Sequence, residues 1–522
     1  MNRAAAALAA LACGCGDHPA PPRPAADAPA QAPGLVLRVT ADGVPAAARV
    51  LLVDAHGDPL RFGTIDLFGQ RQGPAACRVT ADVTATWDGI IVGKGSAELP
   101  VGPRGDDTCK PPAVPPGHYH VVAWRGLEFE RWERDVDLRA GVRTELDIAL
   151  ERAWRAPGTL AADLHVHAYH SDDSNIAEES RVLSLAAAGV QVAGEANHNH
   201  ADTFAPAIAT QHLGAVLAAV PDVELTSDWT HVNVYPAALD HPIDWDATVD
   251  AKPDALLAQA RAFPGDPIVQ VNHPRFRVTA LFDTLGWDGF AWPPPFPHNF
   301  DAVEVLNGFD AFSAPGDHRE AQCAHDFFEL TDRGWLVAPM GNSDSHDYNW
   351  VLDGTARTYV YVPDARTEPF DQAAFIAAIR ARRTVATTGP WLDLDVGGAK
   401  PGGHVVARGT VHVTISVRQA RFSRADHLRI WIGTDAGPRE ARTLVLTGSP
   451  FTWSGEIPVG ARDTWVGATV DGDTILPEEQ TGTYQRDKWN RAGVAPFAIA
   501  SPVLVDVDGD GRWKRGAADL AL

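Results

Sequence analysis

Between Thr159 and Pro390 short apolar runs alternate with helical stretches, and nearly every run ends in His, Asp or Glu. Examples are Ala162-Asp163-Leu164-His165-Val166-His167, Val190-Gln191-Val192-Ala193-Gly194, Ile268-Val269-Gln270-Val271-Asn272-His273 and Leu336-Val337-Ala338-Pro339-Met340. A helix is predicted from Glu178 to Gly189, with an Ala/Leu face and a closing glycine. This alternation predicts an α/β unit, either a β/α barrel or an open sheet. In such barrels the C-terminal strand ends form the face that carries chemistry, and the polar residues fall there.

The flanks have another texture. From Leu35 to about Ala153, alternating runs such as Leu35-Val36-Leu37-Arg38-Val39 are separated by turns such as Ala55-His56-Gly57-Asp58-Pro59, which predicts a β-sandwich over 34–155. Pro116-Gly117-His118-Tyr119-His120-Val121-Val122-Ala123 resembles accessory β-domains related to carboxypeptidase regulatory modules. The central unit is expected over 156–390. A second β-rich domain is expected over 391–522, where Asp506, Asp508 and Asp510 have the spacing that opens a calcium loop. The twelfth position of that loop is Ala517, so its closing bidentate carboxylate is missing.

The 522 residues exceed what one core supports and suggest about three domains. With 67 acidic against 44 basic side chains the net charge is −23, which repels nucleic-acid phosphates and anionic membranes. Twenty His beside five Cys and two Met direct any metal site toward imidazole and carboxylate ligands. Residues 1–16 read as an export leader, with Arg3 followed by an Ala/Leu run too short to span a bilayer. The run ends at Ala10-Leu11-Ala12-Cys13, which resembles a bacterial lipoprotein cleavage box with Cys13 as the lipidated residue and 17–33 as a Pro/Ala-rich tether. That predicts a protein of the cell envelope whose contact with the membrane is a lipid anchor. In such a compartment Cys77 and Cys109 can form a disulfide, while Cys323 reads as a buried small side chain.

His165 and His167 stand one residue apart at a strand end, so both project from one face and can chelate one or two metals. Asp172, His198, Glu224, His231, His273, Asp344 and His346 follow at later strand ends or just beyond them. In order and in chemistry these nine residues resemble the metal ligands of the PHP (polymerase and histidinol phosphatase) superfamily. The segments Asn272-His273-Pro274-Arg275, Val303-Glu304-Val305-Leu306-Asn307-Gly308, Gly341-Asn342-Ser343-Asp344-Ser345-His346 and Thr387-Thr388-Gly389-Pro390 are similar to its CehA/McbA-type metallohydrolase branch.

The resemblance implies a distorted (β/α)7 TIM-like barrel, flanked by the two β-domains, holding two or three divalent Zn, Mn or Fe ions. It also implies a hydrolase of a small phosphate ester, or, by the same centre, of a carbamate or carboxylic ester. Clustered cations lower the pKa of a bridging water to give hydroxide near neutral pH and polarise the bond under attack. Asp344 is expected to ligate and orient that hydroxide, with His198 and His346 completing the cluster and a His protonating the leaving group. Arg275 is expected to clamp an anion, because a guanidinium grips two oxygens at once. An ester hydrolase would instead present an apolar pocket, for which Trp287, Phe290, Trp292 and Pro293-Pro294-Pro295 are candidates. Where many members of the family place Asp before the second-strand His, this chain has Asn197, which weakens its hold on a neighbouring ligand. His170 and His200 are further imidazoles near the site, suited to substrate contact or proton transfer. The reading of a different class is a surface lipoprotein that binds metal or glycan without turnover.

Overall fold

The computed structural model describes residues 34–62, 64–65, 71–72, 83–85, 89–102, 113–275, 279–289, 297–308, 319–483 and 493–522. Cys13, Cys77, Cys109, Phe290, Trp292 and Pro293 to Pro295 lie outside them. In the N-terminal part, Leu35–Ala41 pairs in parallel with Thr144–Leu150 and antiparallel with Ser96–Leu99. In a second sheet Ala48–Asp54 lies between Gly117–Trp124 and Ile90–Val92, antiparallel to both. Side chains alternate along a strand, so Leu35, Leu37 and Val39 meet Val50, Leu52, Val121 and Ala123 in one core. Arg38, on the opposite face, pairs with Glu145 and Asp147.

The expected (β/α)7 barrel is not what the central residues build. Strand makes up 41% of the structure and helix 14%, too little helix to ring a barrel, and the described residues form no closed barrel. Instead the strands divide between two sheets. One is five-stranded, in the order Glu224–Thr226, His231–Tyr235, Ile268–Val271, Ala302–Asn307 and Ala338–Asn342. The other is ten-stranded and carries Ala218–Pro221, Val192–Glu195, Thr159–Val166, Arg357–Tyr361 and Thr384–Thr387, then runs on through Phe497–Asp506, beside which His404–Val406 also pairs, and through Thr464–Asp471, His427–Thr434 and Gly437–Val445.

Two local features account for the open architecture. Residues 227–230 are too few for the crossover of about a dozen residues that parallel neighbours need, so Glu224–Thr226 and His231–Tyr235 form an antiparallel pair. On the other side, Thr159–Val166 takes Arg357–Tyr361 as an antiparallel neighbour, Thr384–Thr387 follows, and its far edge pairs with Phe497–Asp506. Backbone donors and acceptors that would close a barrel are thus spent on C-terminal strands. The two sheets share a core in which Leu160, Ala162, Leu164 and Val192 meet Tyr235, Ile268, Ala302, Ala338 and Met340. They touch through backbone bridges at Val166 with Ser345 and at His198 with Glu224.

The C-terminal residues are likewise not a self-contained sandwich. Trp391–Val396, Thr410–Arg418 and Phe451–Pro458 form a three-stranded sheet. Its Leu392, Leu394, Val413 and Ile415 pack on Ile430, Val466, Ala468 and Ala500 of the ten-stranded sheet, which serves as the second layer. No described helix is long and apolar enough to cross a membrane.

Because one sheet spans both halves, damage to its C-terminal part should destabilise the central part as well. Ile499, buried beside Ala386 and Trp465, provides the test. Ile499→Ala should cost about 2–5 kcal/mol and move a single thermal transition in calorimetry; two separate transitions with only one displaced would refute the shared sheet as the cooperative unit.

Candidate metal centre

The strand Thr159–Val166 is buried along its whole length, and it delivers His165 and His167 side by side into the seam between the sheets. A second chain segment runs alongside: His167 N donates to Ser345 O at 3.0 Å and Asp344 N to His165 O at 2.8 Å. This pairing brings Asp344 and His346 against the two histidines. Asp163 fixes the turn from below, since its carboxylate accepts Ser343 N at 3.0 Å and Gly354 N at 2.7 Å. Asp344 itself adopts φ 56°, a left-handed conformation that Asp tolerates better than most residues.

Glu224 is the hub. Its Oε1 lies 3.0 Å from His165 Nε2, 3.1 Å from His231 Nδ1 and 3.5 Å from His273 Nε2, and its Oε2 lies 2.7 Å from His198 Nδ1. Asp344 Oδ1 lies 3.2 Å from His165 Nε2 and 3.1 Å from His167 Nε2. On the outer side Asp173 Oδ2 approaches His198 Nε2 at 3.2 Å and His346 Nε2 at 3.0 Å. Three overlapping sets result, each compact enough to hold a metal ion: His165, His167 and Glu224; His198, Glu224 and His231; and His167, Asp173, His198 and His346.

Eight of the nine residues singled out in the sequence meet here, and Asp172 does not. It is exposed, and the carboxylate that reaches the cluster is its neighbour Asp173. The choice is made by Ser171, whose hydroxyl donates to Asp173 Oδ1 at 3.0 Å while also contacting His167 Nδ1 at 3.0 Å. Sequence signals one acid in Ser171-Asp172-Asp173; the loop conformation selects which. Glu304 is a further participant. Its Oε1 lies 2.8 Å from His165 Nδ1 and accepts Asn342 Nδ2 at 2.9 Å; its Oε2 accepts His273 N and Asn307 Nδ2. A carboxylate behind an imidazole fixes ring orientation and tautomer, and its signal was the buried acid in Val303-Glu304-Val305.

The donor set fits a cation. With Nδ1 of His165 on Glu304, its buried Nε2 faces oxygens of Glu224 and Asp344 outside hydrogen-bonding geometry. Without metal a proton takes the cation's place: burial lowers the His165 imidazole, but Asp344, Glu304 and Glu224 overcome it and raise it well above its usual value. Burial likewise opposes ionisation of Glu224, yet His231, His165 and His198 hold it well below the carboxylate range. His167 goes the other way. Burial and the His346 imidazole push it down to about 3, leaving it neutral, the form that binds metal.

Other expectations are corrected. Arg275 is no anion clamp: it is only 4% exposed, with Nε on Asp326 at 2.7 Å, Nη1 on Asp283 at 3.1 Å and Nη1 also donating to Trp287 O. Burying a guanidinium demands such partners, and Asp326, unseen in the sequence, supplies the main one. Trp287 is buried against Phe282 and Arg275. Asn197 ties two strand ends, accepting Ala168 N at 2.9 Å and donating to Glu195 Oε1 at 3.0 Å. At the C-terminal turn both oxygens of Asp506 accept backbone amides, from Gly509 and Gly511. Asp508 caps the Asp510 amide, and the cation beside Asp510 is the Lys514 ammonium. The carboxylates expected to bind calcium thus serve the turn itself. His170 and His200 meet at the rim, with ring centroids 4.9 Å apart.

No family model, curated protein or solved structure matches the chain.

Two outcomes are expected. Asp173→Asn should lower metal affinity at the outer set by 10–100-fold or more, as roughly expected from loss of a ligand or its support, whereas Asp172→Asn should leave affinity unchanged in dialysis against a chelating dye; equal effects would refute the assignment. In the metal-free protein, His165, His198, His273 and His346 are raised by their carboxylate neighbours against burial, while His167 and His231 are lowered by it. Raised imidazoles stabilise the fold below the unfolded value of about 6.5, and that stability is lost as pH rises through their folded values. The lowered pair works in the opposite sense but is outnumbered. Melting in chelator should therefore drop from about pH 6 to about pH 8, while added Zn2+ should raise Tm more at the higher pH, since protons then compete less.

Proposed function

We propose that the protein is a metal-dependent hydrolase that cleaves a phosphate ester of a small molecule, using divalent Zn, Mn or Fe. The observation that carries this reading is Glu224, one buried carboxylate ringed by four imidazoles, with Asp344 and Asp173 completing sets on either side. The resemblance to the CehA/McbA-type branch of the PHP superfamily supports the same reading. Bound cations supply Lewis acidity, lowering the pKa of a water in their shell and polarising the P=O or C=O under attack.

The residues of the chain divide the remaining work. His165, His167, Glu224 and Asp344 would hold one ion, Glu224, His231 and His273 a second, with the Glu224 carboxylate shared between them, and Asp173, His198 and His346 a third. Asn307 Nδ2 donates to Asp344 Oδ2 at 3.2 Å and Asn272 Nδ2 to Glu224 Oε1 at 2.8 Å, so each central carboxylate is held in orientation. The side chains of His165 and His167 are sealed at 0% exposure, whereas His198, His231 and His346 retain 12%, 13% and 11%. Substrate would therefore approach on the side that His198, His231 and His346 share, and protonation of the leaving oxygen would fall to one of these imidazoles. Imidazole and carboxylate donors suit all three metals, and cellular supply decides among them.

A second reading, hydrolysis of a carbamate or carboxylic ester, is favoured by the commitment of Arg275 to Asp326 and Asp283. A phosphate dianion would then draw no positive charge from Arg275. With residues 1–16 as an export leader, either reaction takes place in the cell envelope.

Protein purified without chelator should carry at least two equivalents of transition metal, counted against the three donor sets, and hydrolyse aryl phosphate, carbamate or acetate esters. His165→Ala/His167→Ala should lose metal and more than about 100-fold in kcat/KM, exceeding the effect of a supporting residue. Folded protein without transition metal would overturn the hydrolase reading, and metal binding without turnover of any ester class would leave a metal-binding surface protein.

A further inference from the structure

Beside the main cluster, on the side where the 168–178 segment meets the end of the Val192–Glu195 strand, lies a group of titratable side chains that the proposed reaction does not use. His170 Nδ1 contacts Asp202 Oδ2 closely and lies 3.6 Å from Glu178 Oε1, and His200 Nδ1 lies 3.5 Å from the same Asp202 oxygen. One donor atom each from His170, Glu178, Glu195 and Asp202 fall within 4.8 Å of one another, and so do donors of His170, His200 and Asp202.

Glu195 sets this group apart from an ordinary acidic surface. It is 0% exposed, its Oε1 accepts Asn197 Nδ2, and its Oε2 is buried without any hydrogen-bond partner. Burial, then the charges of Asp202 and Glu178, push its carboxyl up to about 9. Glu178 is raised for the same reasons, burial first and Asp202 second. The cation whose charge reaches Glu195 is Arg181, and its guanidinium is spent on Asp353, Ser345 and the carbonyl of His167. Three carboxylates therefore converge, one of them buried with an unsatisfied oxygen, and the surrounding donors are imidazoles. A divalent cation removes the mutual repulsion and satisfies the orphaned oxygen at once.

We propose that His170, Glu178, Glu195 and Asp202, with His200 at the rim, form a separate site for a divalent transition-metal ion. Mixed imidazole and carboxylate donors suit Zn2+, Mn2+ or Fe2+ better than Ca2+ or Mg2+, which take oxygen ligands. On binding, Glu195 gives up its proton to solvent and becomes a ligand. The site has a mechanical consequence. His170 precedes Asp173 on one loop, and His200 and Asp202 follow His198 on another, so an ion here clamps together the two segments that carry the outer donors of the main cluster.

Metal-free full-length chain titrated with Zn2+, by calorimetry and by equilibrium dialysis, decides the matter. Glu195→Gln is close to isosteric, and His170→Asn/His200→Asn alters exposed positions, so folding of at least the latter is secure; circular dichroism checks both. Each variant should bind one equivalent fewer than the parent, while His165→Ala/His167→Ala should retain that equivalent. Unchanged stoichiometry in the variants overturns the site without touching the main centre. Loss in the histidine variant alone, with Glu195→Gln binding as the parent does, also overturns it, because that pattern describes surface imidazoles without the buried carboxylate. A parent that binds no Zn2+ overturns this site and the hydrolase reading together.

Discussion

The rest of the centre depends on the buried negative charge of Glu224. A carboxylate removed from water costs several kcal/mol unless charge and hydrogen bonds compensate, and here four imidazoles and the Asn272 amide surround it. These partners come from both sheets: His165 from the ten-stranded one, His231 from the five-stranded one, and His198 and His273 from the loops that follow Val192–Glu195 and Ile268–Val271. Compensating one charge thereby fixes the relative placement of two sheets. The seam carries a backbone bridge from His198 to Glu224 and another from Val166 to Ser345, so chemistry and architecture meet at the same residues.

An open seam also explains why the site tolerates so many polar groups. In a closed barrel, ladder hydrogen bonds would run through this position, whereas here side chains replace them. Asn342 Oδ1 accepts Leu164 N at 2.8 Å, Asn233 Nδ2 donates to Leu164 O at 2.6 Å, and Asn197 Oδ1 accepts Ala168 N at 2.9 Å. Each asparagine satisfies a backbone group that a neighbouring strand would otherwise have satisfied. Glu304, tied to five groups, closes the network from behind. Positioning of this density holds the side chains of the site, those on loops included, in one arrangement.

Much of the candidate site was legible because its chemistry is local and ordered. His165-x-His167 announces itself by spacing, since period-two alternation puts the pair on one side of a strand, and Asp344-x-His346 by its chemistry, although the left-handed Asp344 takes that segment out of strand alternation. Where legibility failed, a long-range partner or loop conformation decided. Asp173 rather than Asp172 depends on the Ser171 hydroxyl; the role of Arg275 depends on Asp326, far along the chain and invisible to any local pattern. His170 and His200 are visible as extra imidazoles, but no local pattern marks Glu195, whose importance rests on its burial beside Asp202. The fold failed for a similar reason. Strand positions follow from hydrophobic periodicity, but periodicity is silent about which edge pairs with which.

By itself the sequence determined the inventory: which segments extend, which ends carry imidazole and carboxylate, and that thiolates are too few for a metal centre. Those properties are set by nearest neighbours along the chain. Tertiary structure alone decided that Thr384–Thr387 would pair with Phe497–Asp506, that two facing sheets would stand in place of a barrel, and that Glu224 would sit where four imidazoles converge. Backbone edges are chemically alike, so the winning pairing depends on how much apolar surface and how much buried charge the whole arrangement satisfies at once.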